Sequence, residues 1–273
     1  MTLPLTSNEA RGTLLPTGFQ TRCGCANGLR QSLIIAAELA ADPAALAAWL
    51  SWPRFSVTSF RLVSGLVKQG IVARTVLDVG ANTGQFAVAA AKLFPGARVY
   101  SFEPLPECVT QLRRHANKIP NLTIYPFALA DHEAHDLPFH VNSHSQSSSA
   151  LRLTEDHRTA FPNEKETAAT TVEASTLDRI FESIDLAPPV LLKLDVQGYE
   201  AKVLLGGVKT LKRVDYVVLE ASLRPMYNGE VLFLDLVRLM AGYGFRFLRP
   251  VGWLADRKTD EVLQMDALFE RAA

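Results

Sequence analysis

Four carboxylates stand where apolar segments of this chain run out. Asp78 follows Thr75-Val-Leu, Glu103 follows Val99-Tyr-Ser-Phe, Asp195 follows Val190-Leu-Leu-Lys-Leu, and Glu220 follows the segment from Asp215 to Leu219. Acids at the open ends of neighbouring strands can hold an amine, the hydroxyls of a sugar, or a positive charge. Between the first two lies Asp78-Val-Gly-Ala-Asn-Thr-Gly84, a turn bracketed by glycines that leads into an Ala-rich segment. Such a turn lets a ligand approach bare backbone, and the helix after it offers unpaired N–H groups. The spacing Gly80-x-x-x-Gly84, with Asn82 between, lacks the third glycine of a pyrophosphate fingerprint. An acid two residues before the turn would also repel a pyrophosphate. A nicotinamide site is therefore disfavoured, although Glu103 alone would serve a ribose in either case.

These residues need a rigid frame. From Thr75 onward, apolar runs of strand length alternate with helix-length segments. Strands are expected at Thr75–Val79, Arg98–Phe102, Leu122–Phe127, Val190–Asp195, Asp215–Leu219, Phe245–Leu248 and Val262–Phe269. Val190-Leu-Leu-Lys-Leu is almost unbroken apolar sequence, as expected of a strand covered on both faces. The pattern predicts an α/β fold: a doubly wound, Rossmann-like sheet of about seven mostly parallel strands. Ahead of it, residues 1–27 read as a flexible tail. Residues 28–70 read as a helical lid or extension, with a break at Asp42-Pro43 where Asp caps the second helix. Residues 71–273 form the main domain, interrupted by an insertion at 130–187. The insertion holds two strand-like runs, Asp136–Val141 and Thr171–Ala174. It also holds the polar loop Asn142–Ser149 and a charged segment, Glu155–Thr170, without clear period. A loop anchored beyond the carboxyl ends of the strands is placed to cover a substrate.

Within Lys193-Leu-Asp195-Val-Gln-Gly198-Tyr-Glu200, alternation puts Lys193 and Asp195 on one strand face. A lysine in an apolar strand implies an ionic partner, so a structural ion pair explains Lys193 as well as a catalytic role does. Glu200 suits the first turn of the following helix.

Composition narrows the class. The chain has 273 residues, 48% hydrophobic and 21% charged, as a globular protein would. Lys+Arg and Asp+Glu both total 28, so no charge excess favours nucleic acid. Cys23, Cys25 and Cys108 read as free thiols, and no ligand pattern demands a metal. Met1-Thr-Leu-Pro-Leu-Thr lacks the basic start and apolar core of a secretory signal. The apolar stretch from Leu33 to Leu50 is broken by Glu38, Asp42 and Pro43. A cytoplasmic protein without a membrane segment is expected, and homo-oligomerisation is left open.

Several separated motifs resemble the FkbM-type S-adenosylmethionine-dependent methyltransferases: VLDVGANTGQF from Val76, SFEPLPE from Ser101, FALAD from Phe127, LLKLDVQGYEAKVLLGG from Leu191, VVLEASLRPMYNG from Val217 and QMDALFER from Gln264. The resemblance covers roughly residues 70–271. It implies that Asp78, Gly80, Ala81, Asn82, Gly84, Phe86, Glu103 and Pro104 line the S-adenosyl-L-methionine site, with Phe127 and Ala128 flanking the adenine. It implies O-methylation of a small molecule or glycan. In-line transfer rests mainly on alignment of the reactants, helped by a base. Asp195 is the first candidate base and His144, in the polar loop, the second, with Lys193 beside them. Two other readings stay open: a non-catalytic protein that keeps the cofactor fold and binds a partner through residues 28–70, and a nicotinamide-dependent oxidoreductase.

Overall fold

In the computed structural model, residues 42–256 and 259–272 are described. The tail at 1–27, the Cys23/Cys25 pair and the first part of the helical extension lie outside them. Strands β1 (Thr75–Val79), β2 (Arg98–Phe102), β3 (Leu122–Tyr125), β7 (Val190–Leu194), β8 (Tyr216–Ser222), β9 (Phe245–Ala255) and β10 (Val262–Arg271) make one seven-stranded sheet. Its order is β3-β2-β1-β7-β8-β10-β9. The first five of these strands run parallel, and β10 is antiparallel to both β8 and β9. Helices α1 (Pro43–Ser51), α2 (Val57–Lys68), α3 (Gln85–Leu93), α4 (Pro106–Ala116), α6 (Leu177–Phe181), α7 (Glu200–Leu205), α8 (Val208–Leu211) and α9 (Phe233–Gly242) accompany the sheet. This is the doubly wound fold expected from the sequence. Every residue of β1 and β7 is buried, which is why both read as unbroken apolar runs. The chain winds outward from β1 in one direction and from β7 in the other. The crevice at their carboxyl ends is the switch point where such sheets bind ligands.

Among the differences from expectation, three have clear physical reasons. β9 continues seven residues past Leu248 and through Pro250. It is an edge strand paired only to β10, and there a missing N–H costs no ladder bond. β8 runs on to Ser222, so Glu220 lies inside the strand opposite Asp266 rather than at its end. The insertion carries its own sheet of β4 (Ala128–Leu129), β6 (Glu166–Ser175) and β5 (Ala134–Asn142), in that order, with helix α5 (Glu155–Ala160) between β5 and β6. The stretch 155–170 showed no period because α5 is short and residues 166–171 of β6 are exposed on both faces.

The described part of the N-terminal extension is packed onto the main core. Asp42 accepts hydrogen bonds from the first-turn amides of α1, with Pro43 at the first helical position. Leu62, Val63 and Leu66 of α2 join Val76, Phe86 and Leu191 in one apolar cluster. Trp52, Phe55 and Phe60 stack among themselves at 5.6–5.9 Å between centroids. Among the described residues, no helix is long and apolar enough to cross a membrane.

Candidate active site

A cavity of about 1010 Å³ opens at the carboxyl ends of β1, β2 and β7. Its floor is the turn after β1. Gly80 takes φ +80°, and a Cβ built on it would lie 2.0 Å from the backbone oxygen of Asp195. Only a glycine fits between the ends of β1 and β7. Asn82 also has a left-handed backbone, φ 47°, which Asn tolerates. Its amide nitrogen donates to Glu103 Oε2 at 2.9 Å, and the Leu105 amide donates to Glu103 Oε1 at 2.9 Å. Glu103 is thus clamped through both oxygens, and each keeps a lone pair for a further donor. Burial pushes its carboxyl up to about 7, against the opposing pull of the Leu105 and Asn82 amides.

Lys193 and Asp195 project from the end of β7 into the same cavity, as alternation requires. Lys193 Nζ donates to Asp195 Oδ2 at 3.2 Å, lies 3.7 Å from Asp78 Oδ1, and sits 5.5 Å from the centre of the Phe86 ring. The ion pair that explains a lysine in this strand is present. Gln197 completes the cluster. Its Nε2 donates to Asp195 Oδ1 at 2.6 Å and to Glu220 Oε2, while its Oε1 accepts from the Tyr227 hydroxyl at 2.6 Å. It is buried with a left-handed backbone, φ 58°.

The cavity therefore gathers Gly80, Ala81, Asn82, Phe86, Glu103, Pro104, Ala128, Lys193 and Asp195. Four expected positions are corrected. Asp78 is fully buried inside β1 beneath the cavity, beside Ser101 and Lys193, because Val79 continues the strand past it. Burial raises its carboxyl, opposed by Lys193 and Ser101. Gly84 serves helix packing: a Cβ there would meet Leu112 Cδ1 at 2.5 Å. Phe127 turns inward to pack on Phe102 and Tyr125, leaving Ala128 on the wall. His144 borders a neighbouring cleft, 4.0 Å from Glu164, rather than the main cavity. The negative rim of four acids is accordingly reduced to Glu103 and Asp195 in this cavity, since Glu220 borders a separate cleft under α2.

The sequence also left wall residues unassigned. Leu137 and Phe139 of β5 line the apolar side, and their i, i+2 spacing was a readable signal. Ser145 and Gln146 come from the polar loop, which is held in place. Asn82 Nδ2 donates to Ser145 Oγ at 3.0 Å, and Asn142 Nδ2 to the Ser147 carbonyl at 2.7 Å. Ser56, Thr58 and Ser59 of the N-terminal extension border the same cavity.

Glu200, at the start of α7, lies behind this wall and is buried, accepting from the Val196 amide at 2.9 Å. Burial pushes its carboxyl up to about 8, outweighing the backbone hydrogen bonds it accepts. An acid raised in the fold favours the protonated protein, so this stabilisation is complete below the unfolded value. It is lost progressively as pH rises from that value to about 8, where the loss is complete. At about 1.36 kcal/mol per unit, the loss is on the order of 4 kcal/mol. The thermal midpoint is expected to fall between pH 5 and 8 and to level off above that, and Glu200→Gln to flatten that fall. An unchanged slope in the variant's melting curves would refute this.

A strand-end Glu beside a glycine turn, at the switch point of a sheet whose last strand is antiparallel, makes a Rossmann-like cofactor site. The chain belongs to the FkbM methyltransferase family, whose domain model matches residues 78–247. It is similar to the 2-O-methyltransferase NoeI of Sinorhizobium fredii, 24% identical over 174 residues, which are 62% of this chain and 71% of NoeI. It is also similar to the hexuronic acid methyltransferase AglP of Haloferax volcanii, 26% identical over 144 residues. That match covers 52% of this chain and 54% of AglP. Among solved structures, Aeropyrum pernix fibrillarin with natively bound S-adenosyl-L-methionine aligns at TM-score 0.43 and 11% identity, covering 77% of this chain and 76% of that one. The protein is an S-adenosylmethionine-dependent methyltransferase.

Proposed function

We propose that the protein methylates a hydroxyl of a sugar, free or within a glycan, with Glu103 holding the ribose of the cofactor and Asp195 acting as base. The observation that carries this is the single cavity shared by Glu103 and Asp195, at the ends of two strands that flank Gly80. The residues present suit the cofactor. Each oxygen of Glu103 has one backbone donor and room for another, the Gly80 turn leaves backbone bare, and Leu105, Leu129 and Phe139 offer an apolar wall to a purine. When bound, S-adenosylmethionine supplies an electrophilic methyl group on a positively charged sulfur. Asp195 would orient the acceptor hydroxyl and take its proton, and Lys193 and Gln197 fix that carboxylate in one position. The loop at 142–149 and the N-terminal residues 56–59 form the cover that limits water. We take residues 42–70 as that lid, in the cytoplasmic protein that the sequence suggests. A sugar acceptor is favoured over other hydroxyl compounds by the likeness to AglP, a hexuronic acid methyltransferase, and an oxygen acceptor by the likeness to NoeI, a 2-O-methyltransferase.

Glu103 gives the test. Below pH 7 the free protein carries a proton there, and the ionised form is the one that accepts two sugar hydroxyls. Affinity for S-adenosylhomocysteine should therefore be about tenfold weaker at pH 6 than at pH 8, in proportion to the ionised fraction. Glu103→Gln should abolish that pH dependence and weaken binding about tenfold to a hundredfold, the worth of a hydrogen bond to a charged group. Calorimetric titration at the two pH values decides, and equal affinity at both removes Glu103 from this role.

A further inference from the structure

A second cleft, of about 430 Å³, adjoins the main cavity, and Gln146 and Gln197 border both. His144, Glu164 and Gln264 supply its polar edge, and Phe161 and Leu254 its apolar one. The polar groups offer both donors and acceptors, and the apolar side chains suit the C–H face of a sugar ring. The walls are held firmly. His157 Nε2 lies 2.8 Å from Glu164 Oε2, both residues are buried, and the Tyr227 hydroxyl lies 3.1 Å from the Ser147 carbonyl. Gln197, which donates to Asp195 at 2.6 Å, stands at the border of the two spaces, so the cleft meets the main cavity beside that carboxylate.

The charge of the walls is informative. Among the described residues, no lysine or arginine borders the cleft, whereas the Glu164 carboxylate does, with His157 and His144 beside it. Glu164 stays below its ordinary value: burial, the largest single influence, would raise it, but the hydrogen bonds from His157 and Ser147 and the electrostatic pull of His157 and His144 together outweigh that. In the main cavity Lys193 is engaged with Asp78 and Asp195. In the cleft under α2, Arg61 shares the walls with Glu220 and Asp266. A carboxylate-bearing sugar would meet the Glu164 carboxylate in the cleft and, among the described residues, no lysine or arginine there.

We propose that the cleft bordered by His144, Glu164, Gln264 and Phe161 is the acceptor subsite, and that it takes an uncharged hexose-type ring rather than a hexuronate. The proposal rests on the sugar O-methyltransferase function and adds where the sugar sits and what charge it carries. Saturation-transfer NMR on the full chain, saturated with S-adenosylhomocysteine, tests it with methyl glucoside, methyl mannoside and methyl galactoside against glucuronate and galacturonate. The hexosides are expected to give signals about tenfold stronger than the hexuronates. His144→Ala, at a side chain 40% exposed, should remove most of the hexoside signal and leave that of S-adenosylhomocysteine. Glu164→Gln should raise the hexuronate signal about threefold or more by removing the repulsion. Should that variant lose its fold, as judged by thermal melting, the His144→Ala comparison decides alone. Hexuronate signals equal to or above those of the hexosides, no hexoside signal at all, or a hexoside signal unchanged in His144→Ala would each overturn the proposal. Loss of the S-adenosylhomocysteine signal from the unaltered protein would instead count against the cofactor site.

Discussion

Asp195→Asn is expected to lower methyl transfer about 10²- to 10⁴-fold, the range that a positioned general base contributes, with S-adenosylhomocysteine binding changed only a few-fold. The substitution is nearly isosteric. Asn keeps an oxygen to accept from Lys193 or Gln197, and Lys193 retains Asp78 as its ionic partner. What disappears is the carboxylate able to take a proton from an acceptor hydroxyl. Single-turnover kinetics separates this loss from binding, because a base contributes to the chemical step and not to the ground-state complex. A variant that turns over at more than a tenth of the unaltered rate would remove Asp195 as base. Lys193 is no substitute, because its Nζ is engaged with both Asp195 and Asp78.

The parallel half of the fold was legible because burial on both sheet faces forces apolar runs, as in Val76-Leu77 and Val190–Leu194. Glu103 and Asp195 were legible because each directly follows such a run. The misplacements arose where one residue of strand length decides which way a side chain faces. Asp78 precedes Val79, which still pairs with Phe102, so its carboxylate is enclosed between Ser101 and Lys193. Phe127 and Ala128 are neighbours with opposite orientations, and the turn from β3 into the insertion gave the cavity Ala128. Gln197 had no local signature. Its role depends on Glu220 and Tyr227, 23 and 30 residues away, and on a backbone conformation that glutamine rarely adopts. His144 was correctly placed in a loop over the strand ends, but the loop's internal hydrogen bonds put it beside Glu164 rather than Asp195. Those bonds link residues within one polar run, where serines and an asparagine pair in many ways and the sequence alone does not choose among them.

Gly80→Ala should be strongly damaging although it adds a single methyl. Two independent costs meet there. A non-glycine residue at φ +80° carries backbone strain of about 1–3 kcal/mol. The new Cβ would also lie 2.0 Å from the Asp195 carbonyl oxygen and 2.8 Å from its carbonyl carbon. Both are backbone atoms at the end of β7, where Asp195 N donates to the Val79 carbonyl at 3.0 Å, so relief requires parting β1 from β7 at the centre of the sheet. Overpacking of this kind typically costs a further 1–3 kcal/mol or so. The sum, on the order of 4 kcal/mol, is a large share of a domain's total stability. Any relaxation would also displace Asp195 from the cavity and Asn82 from Glu103. Denaturant unfolding is expected to show the midpoint well below that of the unaltered protein, with S-adenosylhomocysteine binding undetectable in whatever folds. Gly96→Ala makes the matched control: its φ of +78° carries the same backbone strain, but a Cβ there meets nothing within 4 Å. If both variants lost equal stability and both kept cofactor binding, the close approach of β1 and β7 would not be what demands a glycine at position 80.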